Sequence, residues 1–290
     1  MITIIGAGKF GQSISKLLGS NKHVLVDVEK DGTYSADTVE KIKKADKLII
    51  CVPSSFLSDC INMISLIINP NAQILSCTKG LYENLKTPTE LIKEQLKNPI
   101  ATLMGPNLAA EIMLGRPAMA AMAGDHATEW AMLFKSKNFA AIAETDAVGA
   151  EFGGAIKNIV ALGAGLLDGY YENNACNAMG SFMAFALKEI EHLYQHKANA
   201  PIPQLSFIGD LFATCMSETS RNHHFGHLFG TAMRENKPLP KPEATVEGYR
   251  TLQIVQVYAE QHKIAIPSIL ALHNVFFKKG KVEDIIASWR

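Results

Sequence analysis

Residues 1–11 read MITIIGAGKFG, and this stretch decides the fold. A short β-type run, Ile2 to Ile5, leads straight into Gly6-Ala7-Gly8-Lys9-Phe10-Gly11, after which a helical pattern begins. Gly6 permits a tight turn, Gly8 lets the backbone approach a pyrophosphate, and Gly11 lets helix and strand pack closely. The helix start then offers free N–H groups to phosphate oxygens, with Lys9 and Phe10 in its first turn. A glycine turn without a ligand is the competing reading. The order strand, loop, helix favours the dinucleotide loop.

Working outward, β-type runs recur at 23–27, 47–52, 73–77, 100–104, 118–123 and 138–142, with helical stretches between most of them, such as 11–18 and 37–44. Such alternation predicts a parallel sheet in a doubly wound α/β domain. The β signal fades after Asp146, and helical patterns follow at 149–167, 178–194, 207–216, 246–262 and 268–276. The expected organisation is a Rossmann-type domain over 1–147 and an all-helical domain over 148–290. NKPLPKP at 236–242 is the clearest loop.

The chain has 290 residues, 48% hydrophobic and 19% charged, with 28 basic and 28 acidic side chains. That balance gives no electrostatic case for nucleic acid or an anionic membrane surface. Five scattered cysteines without a CxxC pair point to reduced thiols. No basic segment with a cleavage site opens the sequence, and no apolar run of spanning length is free of charge or proline, so a cytoplasmic protein without membrane insertion is expected. The residues at 246–262 are equally suited to core or to a dimer surface, which leaves a homodimer open.

Ligands of doubly wound sheets lie beyond the carboxyl ends of the strands. Val52-Pro53-Ser54-Ser55, Thr78-Lys79-Gly80 and Gly105-Pro106-Asn107 occupy those ends, and Lys79 points to the same cleft as the glycine loop. Each also reads as an ordinary turn. Asp27 ends the second strand about twenty residues past the loop, where a carboxylate accepts from a ribose 2′-hydroxyl. With Glu29 beside it, a 2′-phosphate would meet two negative charges, so NAD is expected over NADP.

In the second half, FGGAIKNIVALGAGLL at 152–167 is apolar or small except at Lys157 and Asn158. Steps of four from Gly149 give Gly153, Lys157, Ala161 and Gly165, a lysine in a stripe of small side chains. Burial there makes the ammonium costly unless paired and eases loss of its proton, which suits an acid/base. The alternative is a buried stem with its head in water. Asp210 is the one charge in LSFIGDLFATCM at 205–216, a candidate partner for Lys157 or else a capping residue. Ser217-Glu218-Thr219-Ser220-Arg221-Asn222 follows. Ser220, Arg221 and Asn222 at a helix start form an anion cradle, or simply a cap with a solvated arginine. His223, His224 and His227, and His192 with His196, lack metal-site spacing, and no metal is expected.

Together GAGKFG, ICVPS, TKG, GPNLAAE, KNIVALGAGLLDG, GDLFATC, SRNHHFG and VEGYRT, in that order from residue 6 to residue 251, resemble the NAD(P)-dependent glycerol-3-phosphate dehydrogenases of the bacterial biosynthetic type. The resemblance implies reversible hydride transfer between a nicotinamide and the dihydroxyacetone phosphate/glycerol 3-phosphate pair, supplying phospholipid synthesis. It assigns Lys157 as proton donor and acceptor at the C2 oxygen and Lys79 as added positive charge there. Asp210 and Thr214 would orient the lysine and the substrate hydroxyls. Ser220, Arg221 and Asn222 would hold the phosphate, with Gly105 and Asn107 bordering the substrate. Gly6, Gly8, Lys9, Phe10, Gly11, Asp27, Pro53, Lys79, Ala109, Arg221 and Glu247 would border the cofactor. One departure stands out: the segment from Val28 to Ala45 has room for a single helix, where the family places a helix, a loop and an extra strand. A reductase of another small carbonyl acid, or a dinucleotide-binding paralogue without turnover, are the rival readings.

Overall fold

The computed structural model describes residues 1–172, 174–217, 220–243 and 246–290. Glu218 and Thr219 of the expected cradle stretch lie outside them. The chain divides into two compact units, Met1–Lys79 with Lys86–Glu151, and Gly80–Leu85 with Phe152–Arg290. The division thus falls four residues beyond the expected boundary at 147, and a short excursion out of the first half joins the second unit.

The first unit carries β1 (Ile2–Ile5), α1 (Lys9–Leu18), β2 (His23–Val26), α2 (Ala36–Lys43), β3 (Lys47–Ile50), α3 (Leu57–Ser65), β4 (Gln73–Ser76), α4 (Pro88–Gln95), β5 (Ile100–Met104), α5 (Ala109–Met113), β6 (Ala118–Gly124), α6 (Ala127–Phe134) and β7 (Phe139–Glu144). Its sheet has the order β2-β1-β3-β4-β5-β6-β7. Neighbouring strands pair in parallel, as expected of a doubly wound sheet, except that β6 runs antiparallel to β5. The connection from β5 to β6 carries only the five-residue α5, and β7 then pairs parallel to β6. One face of the sheet packs Ile4, Ile49, Leu75, Leu103 and Met122 against Ile14 and Leu18 of α1 and Trp130 and Phe134 of α6.

Between β2 and β3 only α2 intervenes, so β2 is the sheet edge. The preceding loop closes on itself: the N–H of Gly32 donates to Glu29 O and that of Glu29 to Thr33 O. Asp31 accepts from the Thr33 N–H and hydroxyl, and the Ser35 hydroxyl caps α2.

α7 (Ala147–Tyr170) begins in the first unit and runs on through the second. There it is joined by α8 (Cys176–Ala198), α9 (Gln204–Cys215), α10 (Arg221–Arg234), α11 (Glu247–His262), α12 (Pro267–Phe277) and α13 (Val282–Ala287). Periodicity alone does not reveal α13, which is six residues long and carries one short apolar face. By length and composition α7 could cross a bilayer, yet its apolar window is wholly buried in the fold, as in a core helix. Phe152, Ile156, Ile159, Val160, Leu162, Leu166 and Leu167 are all fully buried, which explains why it shows no polar face. α11 buries Leu252, Val255 and Ala259 while Val257 stays exposed, so much of that helix is core.

Two buried carboxylates organise helix starts. Glu189 of α8 accepts from the N–H groups of Ser268 (2.8 Å) and Ile269 (3.0 Å) in the first turn of α12. Glu151 of α7 accepts from the Thr89 N–H (2.9 Å) and hydroxyl (2.8 Å) at the start of α4. Each satisfies orphan donors and places negative charge at a helix N-terminus. Burial nonetheless raises both acids, Glu151 to about 7.

Candidate active site

The glycine loop has the form a dinucleotide requires. Gly6 has φ +103°, and a Cβ there would lie 2.6 Å from Cys51 O. At Gly11 a Cβ would lie 1.9 Å from Gly6 O, so any side chain would force α1 off the strand. Gly8 differs: a Cβ would meet nothing within 4 Å, and Gly8 opens α1 with no side-chain cap. Open space therefore stands before an uncapped helix start, where a diphosphate fits. Lys9 is exposed and Phe10 half-buried in this first turn. Asp27 braces the loop, accepting from the Ala7 N–H (2.8 Å) and the Val28 N–H (2.9 Å). Those bonds orient its carboxylate and leave lone pairs for a ribose hydroxyl.

Two of the strand-end peptides of this unit meet at Lys79. The Lys79 ammonium donates to Gly105 O and to Asn107 Oδ1, both at 3.3 Å. A lysine can only donate, so the amide oxygen of Asn107 faces it and the NH2 faces away. That Asn107 nitrogen is buried without a protein acceptor among the described residues, in a residue 3% exposed. A buried donor of this kind is costly unless a ligand oxygen meets it. Gly105 holds φ +131°, and a Cβ there would lie 3.2 Å from Met119 O and 3.3 Å from Ala120 Cα, so the turn needs glycine. Pro53 is exposed just before the short turn of Ser54–Phe56, and Ala109 opens α5.

In the second unit Lys157 and Asp210 form an ion pair, the two side chains 6% and 1% exposed. Asp210 lies within α9 rather than at its start, so it pairs rather than caps. Thr214, one turn on, donates its hydroxyl to Asp210 O at 2.7 Å. Cys215 lies close enough to feel the lysine, but burial pushes its thiol up to about 12 and keeps it neutral. Such a pair is expensive to desolvate, and removing one partner would strand a buried charge at a cost of about 3–5 kcal/mol.

The small residues around Lys157 bring helices to backbone contact. A Cβ at Gly153 would lie 2.9 Å from Phe207 of α9, and one at Gly165 would lie 2.0 Å from His223 O of α10. Gly169 meets His227 O, and Gly226 and Gly230 of α10 meet Leu162 O and Leu166 O in turn, each at 2.0–2.2 Å for an added Cβ. Two glycine pairs spaced by four thus interlock α7 with α10, which run in the same sense.

α10 begins at the expected cradle. The Ser220 hydroxyl accepts from the His223 N–H, and Arg221 is exposed in the first turn. Asn222 is 7% exposed and accepts from the Gly248 N–H at 2.9 Å, tying the cradle to the start of α11. The next residue back, Glu247, accepts from the Asn158 amide at 3.3 Å. Asn158 has no role in the sequence reading, although it is the second polar residue of the 152–167 run. Burial lowers His223, with Asp168 opposing and His227 and His224 assisting. No group of three or more metal-ligating side chains occurs among the described residues.

Family models match both halves of the chain. Residues 25–129 match the NAD-dependent glycerol-3-phosphate dehydrogenase N-terminus and residues 146–287 its C-terminus. The glycine loop lies ahead of the matched range. Glycerol-3-phosphate dehydrogenase [NAD(P)+] of Bacillus pumilus is 27% identical over 322 aligned positions, covering 99% of this chain and 93% of the relative. The Clostridium botulinum (strain Alaska E43) enzyme of the same name is 29% identical, covering 96% and 93%. The crystal structure of glycerol-3-phosphate dehydrogenase from Coxiella burnetii superposes with a TM-score of 0.84 at 22% identity, over 99% of this chain and 97% of that one. With both domain models matched in order, the chain belongs to the NAD-dependent glycerol-3-phosphate dehydrogenase family.

Proposed function

We propose that the chain catalyses the reversible reduction of dihydroxyacetone phosphate to sn-glycerol 3-phosphate at the expense of a reduced nicotinamide, with Lys157 as general acid/base. The observation that carries this reading is the buried Lys157–Asp210 pair between α7 and α9, with α7 interlocked with the helix that begins at Ser220, Arg221 and Asn222. A nicotinamide supplies the hydride when bound; the residues above do the rest. Negative charge grows on the C2 oxygen as the ketone is reduced, and the Lys157 ammonium stabilises that charge and then gives up its proton. Asp210 holds the ammonium in place, and Thr214 fixes the turn of α9 that carries it. Arg221, Ser220 and Asn222 bind the phosphate, a remote handle whose binding energy positions the carbon. Lys79 adds positive charge near the same oxygen, and Asn107 gives its unused N–H to a substrate oxygen, with Gly105 bordering it.

Gly6, Gly8, Lys9, Phe10, Gly11 and Pro53 hold the dinucleotide in this reading, with Ala109, Arg221 and Glu247 bordering it. Asp27 and Glu29 favour NADH over NADPH, because a 2′-phosphate would face two carboxylates. The five free cysteines suit a reducing compartment, and the cytoplasm, with a product destined for phospholipid synthesis, completes the reading.

The test is a panel of carbonyl substrates with purified protein, followed by nicotinamide absorbance. Dihydroxyacetone phosphate is expected to be the preferred substrate, with kcat/KM higher for NADH than for NADPH. Oxidation of nicotinamide by small 2-oxo acids alone would replace this function with that of a different reductase. Binding of NADH without turnover on any substrate would make the chain a dinucleotide-binding paralogue. The single-turn loop in place of the longer segment after β2 is the observation that favours that second outcome.

A further inference from the structure

Two cysteines stand side by side at the carboxyl ends of neighbouring strands. β3 and β4 pair in parallel with Ile50 opposite Ser76, and the ladder continues one residue further: the Cys77 N–H donates to Ile50 O and the Cys51 N–H to Ile5 O, both at 2.8 Å. Cys51 is therefore opposite Cys77. Strand alternation turns both to the face that carries Ile49 and Leu75, and all four join one apolar cluster. The neighbouring Cys77 thiol, together with burial, pushes the Cys51 thiol well up. The remaining three cysteines differ: Cys60 is buried against the Tyr34 hydroxyl at 3.6 Å, Cys176 is exposed on α8, and Cys215 ends α9. Neither pair partner has a part in the chemistry above.

The pair sits directly beneath the glycine loop. Cys51 O packs against Gly6 so closely that a Cβ there would lie at 2.6 Å, and the Thr78 hydroxyl, one residue past Cys77, donates to Val52 O at 2.9 Å. We propose that Cys51 and Cys77 are a dithiol–disulfide site for small peroxides, and that closing the bridge weakens dinucleotide binding. The second clause rests on the glycine loop holding the dinucleotide.

The chemistry balances with a peroxide as oxidant. One thiolate attacks a peroxide oxygen; an S–O bond forms, the O–O bond breaks and hydroxide leaves, giving a sulfenic acid. The second thiol attacks that sulfur; the S–S bond forms, the S–O bond breaks and water leaves. The thiols lose two electrons and two protons in all, and hydrogen peroxide becomes two waters. Paired strands lie about 4.8 Å apart, whereas a disulfide needs its Cβ atoms about 3.5–4.5 Å apart. Closure therefore draws the two strand ends together by up to about 1 Å, and the Cys51 carbonyl has no slack against Gly6.

Reduced protein is treated with hydrogen peroxide, mapped by mass spectrometry of proteolytic peptides, and titrated with NADH by fluorescence. The expected result is a Cys51–Cys77 peptide pair lighter by two hydrogens and a Kd for NADH raised about tenfold. A thiol reductant reverses both, and Cys51→Ala and Cys77→Ala keep the reduced Kd after peroxide. A mapped bridge in some other pair, no bridge, or a bridge with unchanged Kd would overturn the proposal. Mapping on the unaltered chain decides the bridge even where an alanine variant folds poorly. Failure of reduced protein to bind NADH would instead refute the glycine-loop reading and remove the consequence drawn for binding, while the mapped bridge still decides the dithiol.

Discussion

Glu151 offers a quantitative test of how the first unit is held together. Its carboxylate is fully buried and takes two hydrogen bonds from Thr89, and its other oxygen has no hydrogen-bond partner among the described residues. Burial raises it from 4.5 to about 7 despite those bonds. The native state thus binds this proton more tightly than the unfolded chain. Its contribution to stability is complete below about pH 4.5, declines as the pH rises, and is lost above about pH 7. At about 1.4 kcal/mol for each pH unit, the loss amounts to roughly 3 kcal/mol. Glu151→Gln keeps an oxygen for Thr89 and removes the charge. The variant should therefore match the parent near the acid end and exceed it by up to about 3 kcal/mol at neutral pH and above. Urea unfolding followed by Trp130 fluorescence, with Trp289→Phe as background, reports on the unit that contains Glu151. Taking the difference between the two proteins cancels every other titrating group. A difference that stays constant from about pH 5 to about pH 8 would show that Glu151 titrates normally and refute the argument.

The remaining predictions concern the second unit. Lys157→Ala should reduce kcat by at least about a thousandfold, since acid/base help and charge stabilisation are lost together, with NADH affinity nearly unchanged; stopped-flow and fluorescence titration separate the two. Arg221→Ala should act mainly on KM for the phosphorylated substrate, and steady-state kinetics showing an unchanged KM would remove it from the cradle. Gly226→Ala drives a methyl to 2.2 Å from Leu162 O, where only backbone can give way, and should cost about 3 kcal/mol in chemical denaturation.

Much of this was legible because single residues leave strong local signatures. Gly6, Gly8 and Gly11 announce the strand–loop–helix unit, since no other residue tolerates φ +103° at the first or the 1.9 Å approach at the third. Lys157 and Asp210 draw attention as the isolated charges in apolar runs, and an isolated buried charge demands a partner. What the sequence conceals depends on pairing between distant segments. The reversal at β6 is invisible in the sequence because period-two alternation is the same for either strand direction. Gly80–Leu85 belongs to the second unit although Thr78 and Lys79 end a strand of the first. Asn158 looks like a neutral neighbour of Lys157 until Glu247, 89 positions away, is seen to bond it. Cys51 and Cys77 lie 26 positions apart and carry no spacing motif; only the β3–β4 register makes them neighbours.

The glycine-to-carbonyl crossing of α7 and α10 has a consequence for substrate choice. Its contacts contain no rotatable bonds, so the two backbones hold the α-carbon of Lys157 at a set distance from the start of α10. A pocket lined by leucines can yield to a bulkier guest; here the gauge is cut in main chain. If Arg221 seats the phosphate as proposed, the Lys157 ammonium, held by Asp210, favours a carbonyl at one remove from it. Homologues of dihydroxyacetone phosphate longer by one methylene should therefore dock their phosphate and still fail to react, becoming inhibitors instead of slow substrates.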